Sequence, residues 1–246
     1  MPGAIYPSLR GRRVVVTGGA SGIGAALVAG FAAQGAETIF VDILEQEGGA
    51  LVAALKGAPV SFHTLDLRDI AAVEAFFRRL GPIDVLVNNA ANDDRHALAD
   101  ITPAYWDERI AVNLRHMLFS AKAVAPGMKA RGGGAIINFG SISWHLGLEN
   151  LAVYQTAKAG IEGLTRALAR ELGPDNIRVT AVLPGNVKTA RQEKWYTPQG
   201  EAQIVAQQCL KERLLPQHVA SLALFLASDD GRMCTGHNYW IDAGWR

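Results

Sequence analysis

The sequence predicts an α/β fold, a doubly wound parallel sheet of about seven strands with helices on both faces. Three observations predict it. Short β-branched runs recur along the 246 residues. Longer apolar stripes at helical spacing separate them. Each short run is nearly continuous in apolar residues, as in strands covered on both faces. Alternation of this kind calls for parallel strands joined by right-handed crossovers. A chain of this length with 49% hydrophobic residues suits a single domain, 1–246.

The strand candidates, in order, are RVVVT (13–17), TIFVD (38–42), VSFHTL (60–65), DVLVNN (84–89), AIINFG (135–140), IRVTAVL (177–183) and HNYWI (237–241). IGAALVAGFAAQG follows the first and AVEAFFRRLG the third, both with helical apolar stripes. Residues 152–172 read as a further helix. Gly35, Gly81 and Gly173 stand at helix ends, where glycine commonly closes the last turn. Residues 186–214 break the rhythm. They are polar, aromatic and rich in Gln and Lys, and they follow a strand, so they are a candidate active-site lid.

Net charge is +1, with no block of like charge and no basic stripe, which argues against nucleic acid and anionic membrane as partners. No stretch approaches the roughly 18 apolar residues of a membrane span. The opening MPGAIYPSLRGRR lacks the apolar core of a secretory signal. Two cysteines, Cys209 and Cys234, make neither a disulfide framework nor a metal cluster. These features predict a cytoplasmic protein with no resident metal.

TGGASGIG (17–24) follows the first strand and opens the first helix. Gly18, Gly22 and Gly24 let the backbone turn sharply and approach a pyrophosphate, which the free N–H groups of the helix N-terminus then face. Asp42 ends the second strand, where a carboxylate accepts from adenosine ribose hydroxyls and repels a 2′-phosphate. No Arg or Lys in the glycine loop offsets that charge, so NAD is the expected cofactor. Asp66, at the end of the third strand, is a candidate for the adenine amino group and equally for capping the next helix. Asn88 and Asn89 end the fourth strand at the carboxyl edge, where such sheets bind ligands.

Tyr154 and Lys158 stand one turn apart on the helix over 152–172. A phenol near its reference pKa of about 10 is a poor base at neutral pH, and a neighbouring ammonium favours the phenolate. Ser141, just past the fifth strand, is placed to hydrogen-bond the reacting oxygen.

TGGASGIG, NNAA, Asn113 in AVNLR, Ser141, YQTAK and PGNVKT, in this order over essentially the whole chain, resemble the motif set of the short-chain dehydrogenases/reductases. The resemblance implies a Rossmann-type NAD(P)-dependent oxidoreductase with an Asn113–Ser141–Tyr154–Lys158 tetrad. It makes Tyr154 the acid/base. It has Lys158 bind the nicotinamide ribose and tune Tyr154, and Asn113 support a water relaying protons through Lys158. It gives Val187 a backbone contact to the nicotinamide carboxamide. With the glycines it marks Ser21 and Ile23, Ile43 beside Asp42, Leu67 beside Asp66, Asn89, Pro184, Gly185 and Thr189 as candidate cofactor contacts. One position departs from the pattern: Ala91 stands where the family usually has Gly, a cost of roughly 1 kcal/mol if the backbone there needs positive φ.

NDDRHALAD, AYWDERI, NLRHMLF, GSISWHLGL, RQEKWYTP and YWIDAGWR are further similar to segments of bacterial NAD-dependent aldose 1-dehydrogenases acting on pentoses. That similarity implies oxidation of an aldopentose at C1 to its aldonolactone, with D-xylose ahead of L-arabinose. Family resemblance also implies a homotetramer, in which the aromatic run from Tyr239, Trp240 and Ile241 to Trp245 could pack at an interface. The residues themselves point to a polar substrate: Asn92 to His96, Ser143 to His145, Asn186 and Gln192 to Tyr196 surround the expected nicotinamide position. A sugar needs several hydrogen-bond partners and an aromatic face. Asn92, Ser141, Trp144, His145, Tyr154 and Asn186 are the candidate substrate contacts, whereas Asp93, Asp94 and Arg95 read as a solvated loop with local ion pairs. Rival readings are a 3-oxoacyl or polyol oxidoreductase and a non-catalytic nucleotide sensor on the same fold.

Overall fold

A computed structural model describes residues 3–193 and 197–245. One parallel sheet contains β1 (Arg13–Thr17), β2 (Glu37–Asp42), β3 (Val60–Thr64), β4 (Val85–Asn88), β5 (Gly134–Phe139), β6 (Ile177–Pro184) and β7 (Asn238–Ile241). Their order across the sheet is 3-2-1-4-5-6-7, parallel at every step.

The strand connections include α1 (Gly22–Ala33), α2 (Glu45–Ala54), α3 (Ile70–Leu80), α4 (Pro103–Ile110) and α5 (His116–Ala130), the last two joined by a π-helical turn, Ala111–Arg115. Beyond β5 come α6 (Ser143–Leu146) and α7 (Ala152–Leu172). Beyond β6 come α8 (Ala190–Glu193), α9 (Pro198–Gln207) and α10 (Pro216–Ala227).

Alternation along the strands divides the core into two layers. Val14, Val16 and Ile137 pack with Leu27 and Phe31 of α1 and Leu224 of α10. Val15, Leu86 and Ile136 pack on the other face with Phe76 and Phe77 of α3 and Met128 of α5. The central strands are therefore apolar throughout. β3 departs from this: it is an edge strand, and Ser61, His63 and Thr64 are exposed. Its anchor is Phe62, whose ring lies 5.1 Å from that of Phe40.

Helix ends follow local chemistry. Asp69 caps α3 by accepting from the Ala72 N–H at 3.0 Å, so Asp66 is not that cap. Gly35 and Gly81 close α1 and α3 with φ of 76° and 77°. Gly173 does otherwise. Its φ is −56°, the helix continues into a short 3₁₀ turn, and Asn176 adopts the left-handed conformation. Asn tolerates that region because its short amide bonds locally.

The chain leaves β1 toward β2 on one side and β4 toward β5 on the other. The crevice between their carboxyl ends is where doubly wound sheets hold ligands. The segments after β1, β4, β5 and β6 all start at this edge.

Candidate active site

Backbone geometry builds one half of the crevice. Gly18 has φ +64°, and a Cβ there would lie 2.7 Å from the Ala90 Cα. A Cβ on Gly24 would lie 1.9 Å from the Gly18 carbonyl oxygen, so the first turn of α1 rests directly on the loop. Asn89 staples this loop to β4: its amide donates to the carbonyls of Thr17 at 3.0 Å and Gly18 at 2.9 Å. The Thr17 hydroxyl receives the N–H groups of Asn89 and Ala90 at 3.0 and 3.2 Å. The exposed Ser21 starts α1 without using its hydroxyl as a cap, and Ile23 behind it is half-buried.

Asp42 is fixed to the same loop. Its carboxylate accepts from Ala20 N–H at 3.0 Å and from the N–H groups of Ile43 and Leu44 at 2.8 and 3.2 Å. Ile43 beside it is 60% exposed, an apolar side chain open to a flat ring. Asp66 is engaged by Arg68 through Nε and Nη2 at 2.7–3.1 Å, and that contact holds its carboxyl below the usual range. Leu67 next to it is buried. Thr189 closes over the loop from the other side: a Cβ on Gly22 would meet its Cγ2 at 3.4 Å. Pro184 and Gly185 lead there from β6, with Gly185 N–H bonded to the Ile241 carbonyl at 2.8 Å. Val187 is buried and bridges Leu214. Ala91 is not among the residues with positive φ, so the departure from Gly costs the backbone nothing.

Side chains build the other half. Tyr154 lies in the first turn of α7, and Ser141 follows β5 close enough for its hydroxyl to favour the Tyr154 phenolate. Lys158, one turn on, is 2% exposed; its Nζ donates to the Phe139 carbonyl at 2.7 Å and lies 5.4 Å from the centre of the Tyr154 ring. Burial pushes the ammonium down to about 7, opposed by the Asp93 carboxylate. Burial also raises the Tyr154 phenol, and Asp93 adds to it. The influences favouring its phenolate are the Ser141 hydrogen bond and the Arg191 guanidinium.

Asn113 is fully buried in the π-helical turn. Its side chain accepts from Asn92 N–H at 2.8 Å and donates to the carbonyls of Asn92 and Arg109 at 3.1 and 2.9 Å. It thus clamps the loop after β4. His116, at the start of α5, is 0% exposed and pushed down to about 4 by burial, with the charge of Lys158 adding to it. Its ring nitrogens lie beside the backbone of Ala90 and Val112 without a well-aligned hydrogen bond.

The structure directs Trp144 and His145 to another partner. The indole N–H donates to Glu162 Oε1 at 2.7 Å, and His145 Nε2 meets the same oxygen at 2.9 Å. Glu162 stands on the Tyr154 face of α7 but two turns further on, roughly 12 Å along the axis. The His145 ring lies 3.6 Å from Trp144 and 4.3 Å from Trp240, centre to centre. What these two residues can offer a ligand is therefore ring surface. Asn92 Oδ1 accepts from Asp94 N–H at 2.9 Å, and Asn186 Oδ1 accepts from Arg213 at 2.9 Å. Lys194, Trp195 and Tyr196 of the expected polar stretch lie outside the described residues.

Residues 18–246 match the family model described as enoyl-(acyl carrier protein) reductase. With the glycine loop, the tetrad and this match, the chain belongs to the short-chain dehydrogenase/reductase family, a family of oxidoreductases. It is 71% identical, over the full length of both chains, to D-xylose 1-dehydrogenase of Caulobacter vibrioides. It is 49% identical to "probable galactose dehydrogenase GalD" of Rhizobium meliloti, over 99% of this chain and 98% of that one. Among solved structures, it superposes with a TM-score of 0.88 and 36% identity on a short-chain dehydrogenase/reductase oxidoreductase from Burkholderia thailandensis, covering 95% of this chain and 92% of that one. It superposes with a TM-score of 0.92 and 27% identity on 7α-hydroxysteroid dehydrogenase complexed with NADH and a bile-acid ligand, covering 97% and 96%.

Proposed function

We propose that this protein oxidises the anomeric hydroxyl of a cyclic aldopentose to the aldonolactone, with D-xylose first and L-arabinose second, using NAD. The observation that carries the reading is the 71% identity to D-xylose 1-dehydrogenase along the whole chain, joined to an intact Asn113–Ser141–Tyr154–Lys158 set. The tight glycine loop, which a Cβ on Gly18 or Gly24 would force apart, fits a dinucleotide. Ser21, Gly22 and Ile23 would line its pyrophosphate, and Asp42 its adenosine ribose. Ile43, Asp66 and Leu67 would border the adenine. Asn89, Pro184, Gly185, Val187 and Thr189 would border the nicotinamide end. NAD would supply the hydride acceptor.

Tyr154 as phenolate takes the proton of the C1 hydroxyl while Ser141 donates to the same oxygen. The C1 carbonyl forms as the C1 hydride leaves to the acceptor that NAD would supply. Lys158, aimed by the Phe139 carbonyl, lies beside the Tyr154 ring and would hold the nicotinamide ribose. Asn113 holds Asn92 in place. Asn92 and Asn186 lie at the substrate end, and Trp144 and His145 supply aromatic wall. The chain acts as one dinucleotide-binding domain in which 186–214 is the lid. It acts in the cytoplasm as a homotetramer. No helix among the described residues is long and apolar enough to cross a membrane, and both cysteines are free.

The test is NADH formation at 340 nm across D-xylose, L-arabinose, D-glucose and D-galactose. D-xylose gives the highest kcat/KM. A second reading, an aldohexose, is favoured by the 49% identity to the galactose relative, and D-galactose leading would select it. Turnover of a ketone or acyl substrate, with no aldose oxidised, would refute both.

A further inference from the structure

Two charged side chains outside the tetrad act on the catalytic tyrosine. Asp93 lies in the loop after β4, and Arg191 lies in α8. Arg191 Nη2 contacts Asp93 Oδ1 at 3.2 Å, Asp94 Oδ1 at 2.6 Å and Asn92 Oδ1 at 3.4 Å. The Asp93 carboxylate opposes ionisation of Tyr154 and favours the charged form of Lys158, while Arg191 favours the Tyr154 phenolate. Both groups therefore sit within electrostatic reach of the catalytic hydroxyl.

The loop that carries Asp93 is tied on each side. Asn113 clamps the Asn92 backbone before it. After it, Arg95 donates to the Glu149 carbonyl at 2.9 Å, and buried His96 accepts from Val153 N–H at 3.2 Å in the first turn of α7. The residue next to the catalytic tyrosine thus fixes the far end of the Asp93 loop.

A carboxylate here works against the base it faces. The ion pair does not require it, because Asp94 gives Arg191 the shorter contact. What Asp93 adds is a half-exposed carboxylate, two acceptor oxygens on a loop that is tied to the first turn of α7. A carboxylate can accept from two neighbouring hydroxyls at once, and such charge-assisted bonds are roughly twice as strong as neutral ones. We propose that Asp93 is the hydroxyl-recognising residue of the substrate site, accepting from ring hydroxyls of the bound aldose, and that Arg191 is its positioning residue, turning the carboxylate inward and balancing its charge. The proposal rests on the aldose reading above. It makes the α8 end of the lid part of the specificity apparatus. A sugar lacking the contacted hydroxyl would forgo a charge-assisted bond, which costs it more than a lost neutral contact.

The test compares wild type, D93N and D94N on the best aldose and on its 2-, 3- and 4-deoxy analogues. Wild type loses roughly 10- to 100-fold in kcat/KM on the analogue that lacks the contacted hydroxyl. D93N raises KM for the parent sugar, leaves KM for NAD unchanged, and no longer separates the parent from that analogue. D94N keeps the discrimination. Because each variant is scored by a ratio between its own substrates, altered stability does not enter. The groups that face Tyr154 and Lys158 are Asp93 and Arg191 from the two loops, Ser141 after β5 and His116 from α5. Removing the Asp93 charge shifts the acid limb of the kcat/KM profile to lower pH. An unchanged KM and undiminished discrimination against all three analogues in D93N would overturn the assignment of Asp93 and leave the aldose reading standing. Oxidation of no aldose by wild type would overturn both.

Discussion

The loop between β1 and α1 and the loops around Tyr154 share one crevice, yet they are built differently. Backbone makes the first: Gly18 and Gly22 turn with positive φ, and Gly18 and Gly24 approach neighbours at distances no Cβ allows. Side chains make the second: Asn113 clamps the Asn92 backbone, Lys158 bonds the Phe139 carbonyl, and Arg191 pairs with Asp93. A backbone-built site limits each position to one residue type, so it is written in the local sequence. A side-chain-built site depends on which of several partners each group finds, and that is decided only by the fold.

The sharpest separation of the two halves is Tyr154→Phe. The ring remains and the proton acceptor is lost, so turnover falls by about 10²–10⁴-fold, the usual worth of a general base. NAD binding, measured by fluorescence titration, is mostly retained. Near-normal turnover at neutral pH would remove Tyr154 from the mechanism.

A pH titration of stability probes the ground beneath both halves, where His116 lies beside Ala90 and Lys158. Its folded pKa of about 4 is below the ordinary value of 6.5, so the native protein binds fewer protons than the unfolded chain between them. Stability is full above pH 6.5 and lost as pH falls toward 4. Urea unfolding should lose ~2 kcal/mol between pH 7 and pH 5 in excess of what His116→Gln loses. Equal losses in the two proteins would contradict the buried neutral imidazole.

Gly24→Ala inverts an ordinary expectation. Alanine in a helix normally stabilises relative to glycine by about 0.5–1 kcal/mol. Here its Cβ would meet the Gly18 carbonyl at 1.9 Å and Asn89 Nδ2 at 2.9 Å. Thermal unfolding should show a loss of roughly 1–3 kcal/mol, the range for overpacking, together with weaker NAD binding. A stabilised variant would break the account of the backbone half.

Asp42→Ala has the smallest effect. Wild type prefers NAD to NADP, and the variant narrows the ratio of kcat/KM values by about tenfold, as one like-charge contact is relieved. Wild type using both cofactors equally would sink the role of Asp42.

The same contrast explains what was legible in the sequence. All seven strands were, because interior β-branched runs between turns have one reading. The half-exposed β3 was not, because edge position is a property of the sheet. Gly35 and Gly81 close helices as expected, while Gly173 yields to Asn176 two turns of logic later: an Asn can take the left-handed position, and the chain uses it there. Asn113, Ser141, Tyr154 and Lys158 stood out by motif, but the partners of Asn113 did not, since nothing local ties it to Asn92. Trp144 and His145 look like pocket residues beside Ser141. Their shared partner, Glu162, is two helical turns beyond Tyr154 on α7 and carries no motif. Asp93 read as part of a solvated loop with local ion pairs, and only the fold shows that its partner is Arg191, 98 residues on.

One deuterium links the two halves directly. D-xylose labelled at C1 is oxidised in the presence of NAD, and the label is followed by mass spectrometry in both products. The account predicts an unlabelled aldonolactone and deuterium in the reduced nicotinamide, with transfer in Tyr154→Phe slowed by about the same 10²–10⁴-fold, the worth of a general base. Deuterium retained in the oxidised sugar would contradict it, because oxidation would then have occurred at another carbon.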